Sequence, residues 1–272
     1  MTNHRAVCLA LGVFSFSSTI AKADQLNLMG TANSFAVLGA STVTNTGSSV
    51  LNGSLGLYSG TSVTGFPPGT VNGGSIYTND GTAQQGQADA LSGFNALALL
   101  STSTNLTGTD LGGLTLTPGI YTFNSSAQLT GDLTLDFGGL SGQSFVFQTG
   151  STLTTASASN VNLINEGTDD SIYWVVGSSA TLGTTTAFEG ELIAAQSITL
   201  NTGATIGCGN AIALNGAVTL DSNVLGGGCA AGNELTVSSF GGPSPTPEPG
   251  TLGMVAMGLV GALGAVRRRL SL

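Results

Sequence analysis

Basic side chains are nearly missing from this 272-residue sequence, which has five Lys and Arg and a single histidine. All six sit at the ends, as His4, Arg5 and Lys22 near the start and Arg267, Arg268 and Arg269 near the finish. The stretch from Asp24 to Thr246 has no basic side chain, yet it holds thirteen of the fourteen carboxylates, Glu248 being the exception. Nothing there can neutralise phosphates, which argues against a nucleic-acid partner. Base catalysis by His, Schiff-base chemistry by Lys and anion clamping by Arg are removed on the same ground. Cysteine is scarce as well: Cys8, Cys208 and Cys229 are too few for a closed zinc site without histidine, and no metal or cofactor is expected. What catalysis remains would need paired carboxylates. Glu189 and Glu191, two apart, would face one side of a strand. Two exposed solubilising acids is the stronger reading, because a glycosidase pair must flank a substrate groove. Asp169-Asp170 is read the same way, as a solvated pair in a loop before a calcium site. The chain is not expected to be an enzyme.

The two ends carry addresses. Residues 1–23 read as a signal peptide: His4 and Arg5, then an apolar run from Ala6 to Ile20, then Ala21-Lys22-Ala23 with small residues two apart. At the other end a Pro-rich segment, 241–249, leads into the apolar run 250–266, about 17 residues and just long enough to span a bilayer as a helix. The arginines in 267–272 would keep that tail cytoplasmic and everything before it outside. Pro247-Glu248-Pro249, the apolar run and the arginine cluster together resemble the PEP-CTERM sorting signal of polysaccharide-secreting Gram-negative bacteria. The resemblance implies processing by an exosortase-type membrane peptidase and a destination at the cell surface or beyond it. In an oxidising compartment Cys208 and Cys229 are expected to pair, with two small buried thiols as the alternative.

Between the ends, residues 24–240, helical periodicity occurs once. In Gly81 to Thr102 the residues Ala83, Ala90, Leu91, Phe94, Leu97 and Ala98 fall on one stripe, which places a helix at about 82–100. Thr82 with Gln85 reads as its capping box, and Gly86 and Gly93 weaken it. Elsewhere the period is two. From Gly119 on, three strand types recur in order at spacings near twenty residues. The first type is IYTF (from Ile120), FVFQ, IYWVV, GELIA and NAIAL. The second is QLTG (from Gln128), TLTT, ATLGT, ITLNT and VTLDS. The third is LTLDF (from Leu133), VNLIN, TTTAF, ATIGC and NVLGG. Three strands per repeat describe the coils of a three-sided parallel β-helix, mainly β with one long α-helix alongside. The first type is apolar on both faces, so its outside must be covered, and the helix is the one element suited to cover it.

The second type alternates. Leu129, Leu153, Leu182, Ile198, Leu200, Val218 and Leu220 point in, and Thr130, Thr152, Thr154, Thr181, Thr199 and Thr219 point out. Threonine is favoured in strands generally, so its abundance alone decides little. A column with threonine in every coil is more telling. Stacking sets equivalent residues about 4.7–4.9 Å apart. Methyls and hydroxyls held rigidly at that repeat can order water, and a regular crystalline face, ice above all, is the ligand that fits. The blocks Ser34–Gly47, Thr82–Leu97, Leu114–Phe123, Leu135–Gln148 and Ser171–Asn223 resemble, in order, the microbial ice-binding proteins with a discontinuous β-helix. That resemblance implies a right-handed coil, an N-terminal portion that closes against the coils out of sequence order, and ice adsorption through one flat face. It also implies a Thr-Ala/Gly-x-Thr/Asn motif, matched by Thr149-Gly150-Ser151-Thr152 and Thr202-Gly203-Ala204-Thr205, which adds Thr149, Thr202 and Thr205 to the candidates. A monomer is expected, with ice as partner. A surface adhesin binding extracellular polysaccharide is the alternative, and a β-helical polysaccharide lyase trails for want of basic residues.

Overall fold

The computed structural model describes residues 26–101, 104–226 and 234–235. The expected signal peptide, the linker with Pro247-Glu248-Pro249, the apolar and basic tail segments and Cys229 lie outside the described residues.

The three strand types become three sheets. Gly119–Phe123, Ala127–Leu129 and Asp132–Asp136 form one coil, and successive coils follow down to Ala211–Ala213, Val218–Asp221 and Val224–Leu225. Each strand pairs in parallel with its equivalent in the next coil. The helix-side sheet has nine strands, the threonine sheet seven and the third sheet eight. Residues 35–78 add coils to the wrong end of the sequence order. Phe35–Gly39 pairs with Ala211–Ala213, Thr42–Thr46 with Val218–Asp221, and Val50–Asn52 with Val224–Leu225. The first coils of the chain thus stack on its last, and the β-helix is discontinuous.

That order obliges the chain to travel from one end of the stack to the other, between Ile76–Thr78 and Thr104–Asn105, the two edge strands of the helix-side sheet. Eight inter-strand steps amount to about 38 Å. Helix α1, Gly81–Ala98, has 18 residues and rises about 27 Å; its flanking segments supply the rest. It lies along the outer face of the helix-side sheet, as the apolar outside of those strands required. The contact is made by Val146, Tyr173, Val175, Ile193 and Ile212, with Ala90 and Leu97 from α1. Phe145 and Ile172 point the other way, into the coil. There Tyr121, Phe147 and Trp174 stack with ring centroids 5.4 and 3.9 Å apart, and Phe188 closes on Trp174 at 4.9 Å. This ladder follows from the register Tyr121, Phe147, Trp174 on adjacent strands, and such pairs add about 0.5–1.5 kcal/mol each beyond their burial.

The helix differs from expectation in cap and stripe. Asp80 is the N-cap, its Oδ1 accepting from Ala83 N at 2.9 Å, while Gln85 donates instead to Asp89 Oδ1 at 2.8 Å. Asp80 already stands in extended backbone two residues before Thr82, which lies inside the helix, so the capping box never forms. The buried stripe is Ala83, Gly86, Gln87, Ala90, Gly93 and Leu97; Leu91 and Ala98 are exposed. The glycines read as weak points are the points of closest approach. A Cβ on Gly86 would lie 2.7 Å from Phe35 Cε2, and one on Gly93 2.7 Å from Met29 Sδ. Gly86→Ala is therefore expected to destabilise despite its gain of about 1 kcal/mol in helix propensity. Overpacking of about 1–3 kcal/mol outweighs it, and calorimetry should find Tm lowered by about 2 to 6 °C.

Candidate functional site

Two of the three outer faces are accounted for by chemistry that a flat ligand cannot use. α1 covers the helix-side sheet. The third sheet presents an irregular, partly charged surface: Asp132 and Asp136 hold the carboxamides of Asn160 and Asn165 at 2.7 and 2.8 Å, and Ala187, Thr205, Val224 and Val50 follow one another in register.

The threonine sheet is uncovered. Its strands are short, and most alternate buried residues with half-buried or exposed ones. One outward residue of each strand aligns with the next, as Gln128, Thr154, Thr181, Thr199, Thr219, Thr44 and Thr64. Six consecutive threonines therefore form one column of about 24 Å. The column runs unbroken across the seam where the first coils meet the last, and there Thr44 Oγ1 lies 3.5 Å from Thr219 Oγ1. β-branching leaves each side chain few rotamers, which keeps methyls and hydroxyls in register.

Of the sequence-derived candidates, Thr154, Thr181, Thr199 and Thr219 form this column. Thr130 and Thr152 sit in the ranks that flank it, Thr130 beyond Gln128, with its Oγ1 accepting from Gln128 Nε2 at 3.4 Å, and Thr152 donating to Ser126 Oγ at 2.9 Å. The two motif matches occupy different corners. Thr149-Gly150-Ser151-Thr152 turns from the helix-side sheet into the threonine sheet. Thr202-Gly203-Ala204-Thr205 turns from the threonine sheet into the third, with Thr205 already on a third-sheet strand. Thr149 is 5% exposed, and its hydroxyl is buried with no hydrogen-bond partner among the described residues. It ends a strand covered on both sides, so it belongs to no outer face, and its inclusion is corrected here. Thr202 is exposed at the margin and donates to Asp221 Oδ2 at 2.5 Å, which holds that carboxyl below its ordinary range. Thr44 and Thr64 were missed. The alternation in Thr42–Thr46 and Ser62–Thr64 was there to read, but nothing local told which coils those strands would join.

The carboxylates also stand differently from expectation. Glu189 and Glu191 are separated by Gly190 at φ +104, a turn between the third and helix-side sheets, so they do not share a strand face. Glu191 is 2% exposed and Glu189 half-buried, neither a freely solvated acid. Glu189 Oε2 accepts from Cys208 N at 2.5 Å. Burial pushes its carboxyl up from the ordinary range, the Cys208 N–H opposes that, and the nearby Glu166 charge adds to it. Asp170 staples its loop by accepting from Gln143 N and Gly167 N at 2.8 and 2.7 Å. Among the described residues no group of three or more His, Cys, Asp or Glu could hold a metal ion.

Glu189 carries a testable consequence. A carboxyl whose pKa is raised on folding is a proton acceptor favoured in the folded state, so its ionised form at neutral pH costs stability, and the cost disappears as pH falls towards the unfolded value. Glu189→Gln keeps an acceptor for Cys208 N–H without the charge. Scanning calorimetry should find Tm raised at pH 7 by about 2 °C, the gain being small because the group is partly hydrated. The difference should vanish near pH 4.

Fold and face together define a class: a discontinuous three-sided β-helix that offers a flat lattice of hydroxyls and methyls in place of a pocket. Residues 37–226 match the ice-binding-like family, and the chain belongs to it. It is 51% identical over 266 residues to an ice-binding protein of Nostoc sp. (strain HG1), covering 97% of this chain and 95% of that protein. The crystal structure of an ice binding protein from an Antarctic biological consortium is similar with a TM-score of 0.70 and 42% identity, over 81% of this chain and 95% of that one. That of an ice-binding protein from the Antarctic ascomycete Antarctomyces psychrotrophicus has a TM-score of 0.69 and 42% identity, over 72% and 96%. Residues 245–269 match the PEP-CTERM protein-sorting motif. Among the described residues no helix is long and apolar enough to cross a membrane.

Proposed function

We propose that this protein is exported and adsorbs to ice through the threonine sheet, by surface complementarity and without chemistry. The observation that carries the reading is the unbroken column from Thr154 to Thr64, rigid, uncovered and free of charge along its centre. Thr130 and Thr152 widen it, and Thr202 stands at its margin, whereas Thr205 belongs to the third sheet. Each threonine contributes little, so affinity comes from many acting together on a preorganised lattice. Crystal fronts then bulge between adsorbed molecules, and curvature makes further growth and recrystallisation unfavourable. Family membership and the ice-binding relatives support the same reading. Imaging a single ice crystal grown in the purified full chain tests it: faceted, arrested growth is expected. Growth as rounded discs, as in buffer, would overturn it and leave an adhesin for extracellular polysaccharide.

The PEP-CTERM match supports passage through the envelope, processing by an exosortase-type peptidase, and residence at or beyond the cell surface. We read the domain as a monomer without cofactor. We further infer a bridge between Cys208 and Cys229. Cys208 is disulfide-bonded, and Cys8 belongs to the segment that export removes. Such a loop stabilises by about 3 kcal/mol. Thiol titration of the exported, denatured and unreduced chain should find no free thiol; two free thiols would exclude the bridge.

A further inference from the structure

In a three-sided coil the corner between two sides lies opposite the third side. The corner opposite the threonine sheet is the one where the third sheet turns into the helix-side sheet, and both ends of the domain are fixed there. The 3-10 helix Gly30–Ser34 feeds Phe35–Gly39 at this corner, where Ala32 O accepts from Asn210 Nδ2 at 3.4 Å. The last coil leaves at the same corner: Gly226 N donates to Ile206 O at 3.1 Å, and Gly226 O accepts from Asn52 Nδ2 at 2.8 Å. Cys208, in the turn between Thr205–Ile206 and Ala211–Ala213, places its bridge at this corner too. Beyond it Glu234–Leu235 pairs antiparallel with Leu26–Asn27, so the outgoing chain is tied to the incoming one. The sorting motif begins at residue 245, ten residues after this pairing. Ten extended residues reach about 35 Å.

We propose that the domain, anchored through its C-terminal tail, turns the threonine sheet away from the anchoring surface and so attaches that surface to ice. The tail pulls on the corner behind the lattice, where a disulfide, a two-stranded ladder and the seam hydrogen bonds take the load. The tail joins none of the strands of the threonine sheet directly. A protein released into solution would restrain crystals, whereas the same protein held on a cell would fasten the cell to the crystal. The inference rests on the ice-binding reading above, and its test separates the two.

The full chain carrying a biotin-acceptor peptide after Leu272 is coupled to streptavidin beads, and a growing ice hemisphere is offered to the beads and, separately, to the uncoupled chain. Beads are expected to be retained on ice at least tenfold more than beads bearing Thr181→Tyr. A second form carries the acceptor peptide between Ala156 and Ser157, at the edge of the threonine sheet; its beads are expected to be excluded although the uncoupled form still enters ice. Exclusion of the C-terminally coupled beads while the uncoupled chain enters ice would overturn the proposal. Equal retention of both bead types would do the same, since exit geometry would then decide nothing. Exclusion of the uncoupled chain itself would instead overturn the ice-binding reading.

Discussion

Thr181→Tyr is expected to abolish most of the thermal hysteresis while leaving the fold intact. Thr181 stands second of the six threonines in the column, between Thr154 and Thr199, and is half-buried by its neighbours. A tyrosine there is a good strand residue, so the sheet should tolerate it and circular dichroism should not change. Its ring, however, stands several ångströms proud of a surface whose affinity depends on simultaneous contact along its length. The loss should therefore be cooperative, far more than one threonine in six. The same change at Asn162, on the outer face of the third sheet, should do little. Thr44→Tyr is the sharper companion. Thr44 lies far from Thr181 in sequence but three coils away in the stack, next to Thr219, and its replacement should cost as much activity as Thr181→Tyr. Full hysteresis in Thr181→Tyr would mean that another face binds; loss there with none in Thr44→Tyr would confine the face to the coils before the seam.

Gln87 offers the largest effect on stability. It is 9% exposed, on the face of α1 turned to the coils, and its Nε2 donates to Gly39 O at 3.0 Å and Ala213 O at 3.1 Å. Those carbonyls end the two helix-side strands that meet at the seam. One amide thus ties the first coil of the chain to the last and both to the helix. Gln87→Ala removes the donor from two acceptors and should cost about 2 kcal/mol. Gln87→Glu keeps the shape but turns a carboxylate against two carbonyls, and a buried charge without a partner should cost about 3–5 kcal/mol. In a domain of this size that lowers Tm by about 10 °C. The introduced carboxyl would have its pKa raised in the folded state, so the penalty is present at neutral pH and recedes as pH falls through that value, where the protonated group can donate again. Calorimetry at pH 7 and pH 4 checks both sign and size. Equal Tm values for Gln87→Glu and the parent at pH 7 would show that Gln87 does not hold the seam.

The strand types were legible because their information is local. Alternation of period two marks each threonine-sheet strand by itself, and unbroken apolar runs such as IYWVV at 172–176 announce a cover on both sides. Repetition at near-constant spacing then fixes a coil. The helix was legible in place but not in detail. Gly86 and Gly93 look like defects on a propensity scale, which describes an isolated helix, whereas their value here is the absence of a Cβ against Phe35 and Met29. Thr149 was misplaced for a related reason: a short motif carries residue types and spacing but not the corner of the coil on which it falls. Glu189 and Glu191 looked like one strand's pair because a two-residue interval says nothing of the turn at Gly190 between them.

The sequence by itself determined the coil, the inward leucines and isoleucines, four members of the threonine column and the absence of chemistry that needs a basic side chain. Each follows from a residue's own polarity and its neighbours one or two positions away. Tertiary structure alone decided that residues 35–78 stack on residues 211–225, that Thr44 and Thr64 extend the column across that seam, and that Gly30–Ser34 and Gly226 meet the coils at the corner opposite it. Parallel pairing uses backbone N–H and C=O groups that every residue possesses, so a strand carries little mark of which partner it will take. The choice was made by shape, because an open last coil presents unpaired edges and an apolar interior that the first coils can cover, and α1 is long enough to bring the chain back.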